Sequence, residues 1–379
     1  MIYLDHAAST SMWDEALDVL VRSSGEDYCN PSSSHKFGRG VLKKIENSRK
    51  FMLDFLDAGS LYDLFFTSSA TESNNTVIKG LNLKEGDIVY VSEADHPSLL
   101  KPAQYLENFG AVINYIPMRE DGGVDLGGLL NLMNGKEKLL VISFVNNQSG
   151  NINDIRDIAA KVKEKNKLVH VHVDGVQGFC KIPFSLSDGS IDSFSVSSHK
   201  IGGPKGAAAL YLRKGIALEP LLSGGGQEGG MRSSTRPTPL ILSFSESVRY
   251  LSNRYEKDIE YVSDLNKKVK KNLEDSIPGI FFPFSGENIS SYILNLIIPG
   301  ISSDIIVRHL EEKDIYISTT SACSSGDKGE NPVFRALGIP EKFHNSVYRV
   351  SFSGKTTGNE VQIFCSEIIS IYNELSELL

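Results

Sequence analysis

Short apolar runs that end in polar or glycine-rich loops recur along the first half of the chain. They alternate with segments of helical periodicity, such as residues 155–162. The runs lie at 64–66, 88–91, 112–116, 139–145, 168–173 and 207–212. This alternation is typical of a mostly parallel sheet whose strands are joined by helices, and the predicted fold class is therefore α/β. In such sheets ligands gather beyond the carboxyl ends of the strands, so we expect a site in the loops that follow the runs.

The second half of the chain follows a different pattern. Residues 240–273 are charged and periodic without a strong breaker, which predicts one or two long helices leading out of the sheet. Later elements are predicted at 291–298 and 348–352 as strands and at 358–378 as a helix. A chain of 379 residues with 40% hydrophobic content is long enough for two domains. We therefore expect a large domain at 15–254 and a smaller α+β domain formed by 1–14 and 255–379.

Charge and cysteine usage exclude several classes of protein. The net charge of −8 and the lack of a basic tract argue against a surface that binds nucleic acid directly. Asp5 and His6 interrupt the place where a signal peptide needs apolar residues, and no apolar run approaches the ~18 residues that span a membrane. The four cysteines show neither metal-binding nor disulfide spacing. We expect a cytoplasmic protein without a metal site.

Lys200 stands in the run Ser-Ser-His-Lys-Ile-Gly-Gly-Pro-Lys-Gly at 197–206, and Asp174 ends a predicted strand upstream. A lysine held in a fixed place can form a Schiff base with pyridoxal 5'-phosphate. A carboxylate can keep the pyridine nitrogen of that cofactor protonated while the ring accepts electrons. A lone lysine is usually a solvated loop residue. The adjoining His199, the glycines and Asp174 together favour a lysine that binds the cofactor.

Ordered motifs extend this pattern over residues 3–357. They read Tyr-Leu-Asp-His-Ala-Ala at 3–8, Asn-Pro-Ser-Ser at 30–33, Phe-Thr-Ser-Ser-Ala-Thr-Glu-Ser at 66–73, Val-Asn-Asn at 145–147, His-Val-Asp at 172–174, Gly-Gly-Gly at 224–226, Met-Arg-Ser at 231–233, Ser-Ala-Cys at 321–323 and Arg-Ala-Leu-Gly at 335–338. In these motifs the chain resembles the cysteine desulfurases, the NifS/IscS-like branch of the class V aminotransferases. The resemblance implies a type I pyridoxal-phosphate-dependent transferase fold. It also implies conversion of L-cysteine to L-alanine, with transfer of the sulfur to an enzyme cysteine.

The turn at 67–71 follows an apolar run and precedes a predicted helix, so its N–H groups and hydroxyls can hold an anion. Such a turn taken alone is more often a plain helix cap. The resemblance makes Thr71, Ser197 and His199 ligands of the cofactor phosphate. It also places Ala70 among the cofactor-binding residues.

The resemblance also gives roles to residues around the ring and the substrate. His96 stacks on the pyridine ring and serves in proton transfer, a task that suits the usual imidazole pKa of ~6.5. Gln177 bonds the ring oxygen. Asn146 and Arg349 bind the substrate carboxylate, for which arginine offers a planar two-pronged donor. From the residues alone, His96 is also compatible with a surface loop, and Arg349 with an ion pair at a sheet edge.

Cys323 lies in the polar, glycine-bearing segment 319–329, which has the composition of a mobile exposed loop. A structural cysteine is usually buried, and the apolar neighbours of Cys180 and Cys365 fit that interpretation. For Cys29 the sequence does not decide between a structural residue and one that lies near the site, since it precedes the Asn-Pro-Ser-Ser motif. The resemblance makes the Cys323 thiolate the nucleophile that takes the substrate sulfur as a persulfide, on a loop that then carries it to an acceptor.

The resemblance further brings Thr235 to the phosphate of a partner subunit, which implies a homodimer, and it implies a sulfur-acceptor or scaffold protein as a partner. Six positions depart from the usual family pattern: Ser69, Gln148, Gln227, Gly229, Thr320 and Lys355. Two alternatives therefore stay open, another class V aminotransferase or lyase, and a catalytically weak desulfurase-like scaffold. The sequence does not decide whether sulfur goes to iron–sulfur clusters, tRNA or a cofactor, nor whether selenocysteine is used.

Overall fold

The computed structural model describes residues 1–319 and 331–376. The strands are β1 (Ile2–Tyr3), β2 (Tyr62–Thr67), β3 (Ile88–Val91), β4 (Val112–Tyr115), β5 (Glu137–Ser143), β6 (His170–Asp174), β7 (Ser193–Ser197), β8 (Ala208–Arg213), β9 (Ile293–Ile297), β10 (Ile315–Tyr316), β11 (Ser318–Thr319) and β12 (Val347–Ser351). The α-helices are α1 (Asp14–Glu26), α2 (Lys36–Phe55), α3 (Ala70–Gly80), α4 (Pro97–Tyr105), α5 (Leu126–Leu132), α6 (Ile155–Lys165), α7 (Thr238–Ser252), α8 (Tyr255–Ser276), α9 (Ser303–Glu311), α10 (Pro332–Ala336) and α11 (Gly358–Ser376).

The central sheet has the strand order β2-β8-β7-β6-β5-β3-β4. The strands from β7 to β4 pair in parallel, whereas β8 runs antiparallel to both β7 and β2. The predicted α/β class with a mostly parallel sheet is confirmed. All six apolar runs form strands of this sheet. β7 was not predicted, because three of its five residues are serines, although every one of them is buried.

The register of the parallel strands collects polar groups at one edge of the sheet. Ser143 at the end of β5 lies beside Asp174 at the end of β6, and Asp174 lies beside Ser195 in β7. β7 ends at Ser197, and the chain then enters a short 3₁₀ turn that carries Lys200. The loops after these strands therefore meet at the same edge, as the rule for ligand sites in open α/β sheets requires.

The periodic region 240–273 forms two helices, α7 and α8, separated at residues 253–254. The later strands build a second, antiparallel sheet in the order β11-β12-β9. Its core contains Leu4, Val262 and Phe364 and is a separate cluster from the core of the central sheet. The division into 15–254 and 1–14 with 255–379 stays a prediction, which the two separate cores support. Among the described helices, none is both long and apolar enough to cross a bilayer.

Candidate active site

A cavity of about 260 Å³ opens at the carboxyl edge of the central sheet. Its wall combines residues from the loops after β2, β3, β5, β6 and β7 with residues from the amino-terminal segment and β12. Most of the residues singled out in the sequence line it: Ala70, Thr71, His96, Asp174, Gln177, Ser197, His199, Lys200 and Arg349. Loops far apart in sequence thus bring the predicted cofactor and substrate residues together around one space.

The Asp174 carboxylate is fixed by a hydrogen bond to each of its oxygens. Asn74 Nδ2 donates to Oδ2 at 2.9 Å, and the backbone N–H of Val176 donates to Oδ1 at 3.0 Å. The side chain is buried at the end of β6. Both carboxylate oxygens are thus held in place, so Asp174 is positioned to hold a protonated pyridine nitrogen.

Lys200 closes the turn after β7 and lies on the wall of the same cavity. Its Nζ donates to the carbonyl oxygens of Ala7 at 2.6 Å and Ala8 at 2.7 Å. Gly202, which follows, has a φ of +75°, and a Cβ there would lie 2.5 Å from Nε1 of Trp13. Only glycine therefore allows the close approach that brings the lysine turn against the amino-terminal segment.

Another part of the cavity wall has the character of an anion site. Helix α3 begins at Ala70, and Ser69 caps it by accepting a hydrogen bond from the N–H of Glu72 at 3.1 Å. Serine in place of the usual family glycine thus has a local role. Burial, reinforced by the charge of Lys200, lowers the pKa of His199 to about 4, which keeps this imidazole neutral. With the helix terminus, the polar side chains of this wall suit a phosphate.

His96 is the N-cap of helix α4. Its Nδ1 accepts the backbone N–H of Ser98 at 3.1 Å and lies 2.8 Å from Ser98 Oγ. Burial lowers the pKa of His96, while the negative charge of Asp174 works in the opposite direction and the charge of Lys200 lowers the pKa further. The imidazole is therefore held in one orientation on the cavity wall.

Arg349, in β12, lies on the cavity wall and also forms an ion pair. Its Nη2 is 3.1 Å from Oδ1 of Asp5, and its Nη1 donates to the carbonyl of Asn147 at 3.0 Å. Within the described residues its buried Nε has no hydrogen-bond partner. Burial raises the pKa of Asp5, and Arg349 opposes that shift. Arg349 thus forms an ion pair, and its role as a substrate ligand stays a prediction.

Two predicted residues do not line the cavity. Asn146 is buried, and its side chain bonds backbone groups: Nδ2 donates to Ala94 O, and Oδ1 accepts the N–H groups of Gln148 and Ser149, each at 2.9 Å. Its neighbour Asn147 lies on the wall instead. Thr235 is exposed and outside the lining, as a residue that serves a partner subunit would be. Their predicted roles stay predictions.

Cys323 belongs to residues 320–330, which lie outside the described part of the chain. Cys180 and Cys365 are buried, as expected of structural cysteines. Cys29 is half-buried before helix α2, with its Sγ 3.9 Å from Nε2 of His35, and it does not line the cavity.

Sequence reasoning missed several residues that hold the site together. Asn74 directly follows the motif at 66–73, and Asp5 lies within the motif at 3–8, but neither residue was given a predicted role. Lys181 is a lysine within the apolar stretch 179–182, and a charged residue in such a stretch is a signal by which it could have been found. It is buried, and its Nζ donates to Oε1 of Gln177 at 3.3 Å.

The donor set fits pyridoxal phosphate. Asp174 would hold the pyridine nitrogen, Lys200 the aldehyde carbon, and Thr71 with Ser197 and His199 the phosphate. This cofactor needs three groups, and all are present: a carboxylate, here held by two hydrogen bonds, an amine on the same wall, and the terminus of a helix.

Comparison with known proteins agrees with this site. Residues 2–364 match the family described as Aminotransferase class-V. The chain is 35% identical over 385 residues to "Cysteine desulfurase IscS" of Rickettsia typhi, which covers 100% of this chain and 92% of the relative. It is also 35% identical to the protein of the same name from Rickettsia prowazekii, over 97% of this chain and 91% of that relative.

Solved structures show the same likeness in three dimensions. A structure titled "NIFS-LIKE PROTEIN" matches with a TM-score of 0.91 and 29% identity, over 98% of this chain and 99% of the other. "SspA in complex with cysteine" matches with a TM-score of 0.82 and 29% identity, over 94% and 100%. The predicted type I fold of pyridoxal-phosphate enzymes is confirmed. The chain belongs to the class V aminotransferase family and, within it, to the NifS/IscS-like cysteine desulfurases.

Proposed function

We propose that the protein is a pyridoxal-phosphate-dependent cysteine desulfurase that converts L-cysteine to L-alanine and passes the sulfur to Cys323. The observation that carries the proposal is the single cavity wall shared by Lys200, Asp174 and Arg349. These are the amine, the carboxylate and the guanidinium that a pyridoxal enzyme acting on an amino acid requires. The membership in the desulfurase branch of the family selects the reaction among those that this cofactor supports.

Pyridoxal phosphate, when bound, supplies an electron sink for bonds at the substrate Cα and Cβ. The protein side chains would do the rest. Asp174 would keep the pyridine nitrogen protonated, and Lys200, once its amine is free, would take and return the Cα proton at Nζ. Arg349 would bind the substrate carboxylate through a guanidinium that is already oriented by Asp5.

The sulfur step is a transfer between two sulfur-bearing groups. The Cβ–S bond of L-cysteine breaks, a bond forms between that sulfur and Cys323 Sγ, and Cβ gains the proton that completes L-alanine. One L-cysteine and one thiol give one L-alanine and one persulfide, so the step needs no outside oxidant. β11 precedes the Cys323 segment and pairs with β12 so that Ser318 lies opposite Arg349. The chain thus enters that segment beside the proposed substrate residue, which supports the assignment.

A homodimer with Thr235 serving the partner's phosphate site, and a protein acceptor for the persulfide, belong to the same proposal. The exposed position of Thr235 outside its own cavity supports the shared site. A relative solved in complex with cysteine supports the substrate. A supply of sulfur for iron–sulfur clusters or thiolated products and a cytoplasmic location complete the proposal.

Product analysis tests the function. Purified protein loaded with pyridoxal phosphate is incubated with L-cysteine and a thiol reductant, and alanine, sulfide, pyruvate and ammonia are quantified. We expect alanine and sulfide in equal amounts. Pyruvate and ammonia would indicate a lyase. Amino transfer to a keto acid without sulfide release would indicate an aminotransferase, and either result would overturn the proposal.

A further inference from the structure

A chain of hydrogen bonds connects Asp174 and His96, which both lie on the cavity wall. The two N–H groups of the Asn74 amide donate to Asp174 Oδ2 and to Ser98 Oγ, each at 2.9 Å. Ser98 Oγ in turn lies 2.8 Å from His96 Nδ1. Asn74 is fully buried and Ser98 nearly so. Every link is therefore short, and the links made by Asn74 are shielded from water, whereas His96 itself is exposed.

The direction of this chain follows from the chemistry of its ends. An ionised carboxylate only accepts hydrogen bonds, so the amide end that faces Asp174 must be the NH₂ group. The amide oxygen faces the other way, 2.6 Å from Ser195 Oγ and 3.0 Å from His172 Nε2. The orientation of Asn74 is thus fixed by partners at both ends of its amide.

The same reasoning fixes the hydroxyl of Ser98 and the imidazole of His96. The backbone N–H of Ser98 donates to His96 Nδ1 at 3.1 Å, so Nδ1 is an acceptor. In the contact of 2.8 Å between Nδ1 and Ser98 Oγ, the hydroxyl is then the donor. A ring nitrogen that accepts two hydrogen bonds carries no hydrogen, and in a neutral imidazole the other nitrogen then carries it.

We propose that Asn74 and Ser98 are positioning residues that hold His96 as the neutral tautomer protonated at Nε2, so that His96 offers the cavity a hydrogen-bond donor. The inference rests on the proposed function and deepens it, because it assigns separate roles to Lys200 and His96. Lys200 serves as the base at Cα. His96, whose Nδ1 already accepts hydrogen bonds from Ser98, acts on the bound ligand from Nε2 as a hydrogen-bond donor.

The charged groups around His96 come from four places in the fold. Asp174 at the end of β6, Lys200 after β7 and Arg349 in β12 share its cavity. Asp95 precedes it in the chain and bonds Ser143 Oγ at 2.6 Å. His199 shares the cavity as well. Because several charged and titratable groups lie around His96, the test observes His96 itself.

The test uses cofactor-loaded protein labelled with ¹⁵N at histidine, and the His96→Gln variant identifies the His96 signals. The nitrogen shifts of a histidine distinguish the two neutral tautomers and the imidazolium. Between pH 6 and 8 we expect Nε2 to carry the hydrogen and Nδ1 to carry none. A hydrogen on Nδ1, in the neutral tautomer or as imidazolium at pH 8, would overturn the proposal.

Two variants test the positioning residues. Ser98→Ala removes one donor to Nδ1, and Asn74→Ala removes the amide that fixes the Ser98 hydroxyl, so that the hydroxyl can turn its hydrogen away from Nδ1. Each should raise the midpoint of His96 protonation by about one pH unit, the equivalent of one hydrogen bond. Asn75→Ala, at the next position of the same helix, is the matched control and should leave the midpoint unchanged.

An unchanged midpoint in both Ser98→Ala and Asn74→Ala, with a native circular dichroism spectrum, would overturn the positioning role. If one variant does not fold, the other decides. The nitrogen signals are read without turnover, so a failure with L-cysteine as substrate would contradict the proposed function and leave the tautomer result intact.

Discussion

Nη2 of Arg349 lies 3.1 Å from Oδ1 of Asp5, so the predicted substrate arginine is already paired with a carboxylate from the amino-terminal segment. Asp5 belongs to the motif at 3–8, whose backbone carbonyls at Ala7 and Ala8 also accept from Lys200. One short segment therefore orients both the arginine and the lysine. A substrate carboxylate must bind the face of the guanidinium that Asp5 leaves available.

Arg349→Lys tests the two-pronged contact. Lysine keeps the charge but cannot donate two parallel hydrogen bonds, and the loss of a charge-assisted hydrogen bond costs about 1.5–3 kcal/mol. We expect the KM for L-cysteine to rise roughly 10- to 100-fold, with the absorbance of the bound cofactor unchanged. Arg308→Lys, on the exposed face of α9, is the control. A KM within twofold of wild type would contradict the assignment of Arg349 to substrate binding.

Borohydride reduction tests the cofactor lysine. Reduction of the yellow protein should fix the cofactor to the peptide that contains Lys200, as identified by mass spectrometry. Lys205→Ala should still be labelled, because Lys205 is exposed and does not line the cavity. Label on Lys205 with none on Lys200 would show that the wrong lysine had been chosen.

Mixed dimers test the shared site. If Thr235 serves the partner's phosphate, a dimer of one Lys200→Ala subunit and one Thr235→Ala subunit contains one site with both mutations and one with neither. Neither homodimer should show more than a small fraction of wild-type turnover. The mixed dimer, isolated through two different affinity tags, should recover up to half. No recovery in a dimer of demonstrated composition would place Thr235 outside the partner's site.

Lys181→Met tests the cost of a buried amine. Burial, reinforced by Lys200, lowers the Lys181 pKa from 10.5 to about 7. The unfolded chain therefore binds a proton more tightly than the folded one. The resulting loss of stability is fully present below pH 7 and disappears as the pH rises towards 10.5.

The variant should accordingly be more stable than wild type, by a few kcal/mol below pH 7 and by less at each higher pH. Thermal unfolding of cofactor-loaded protein between pH 6 and 10 gives this difference. Lys271→Met, on the exposed face of α8, should show no such trend. A pH-independent difference for Lys181→Met would mean that packing, and not the charge, determines the effect.

The sequence predicted the sheet where strands are apolar and failed where one is not. β3 and β6 were visible as apolar runs, whereas β7 is Ser-Phe-Ser-Val-Ser and is nevertheless fully buried in the middle of the sheet. The hydroxyls of Ser193 and Ser195 are satisfied by His172 and Asn74 from other elements. These hydrogen bonds depend on tertiary contacts, which a local sequence pattern does not show.

The residues of the site were likewise predictable only in part. Asp174 and Lys200 were predictable because each follows a strand in a recognisable motif, and both lie on the cavity wall. Asn146 was expected there too. Its amide instead completes a tight turn by bonding the N–H groups of residues 148 and 149. The choice between Asn146 and Asn147 depends on backbone geometry, and the roles of Asn74 and Lys181 depend on their buried neighbours.

Detection of the persulfide tests the central claim most directly. Cofactor-loaded protein is given L-cysteine without reductant, its thiols are alkylated at once, and its peptides are analysed by mass spectrometry beside those of Cys323→Ser. The account predicts one extra sulfur atom on Cys323 in the wild type. In Cys323→Ser it predicts no persulfide and a collapse of alanine formation, while the cofactor absorbance still responds to L-cysteine. A persulfide on Cys29, or near-normal alanine and sulfide from Cys323→Ser, would contradict it.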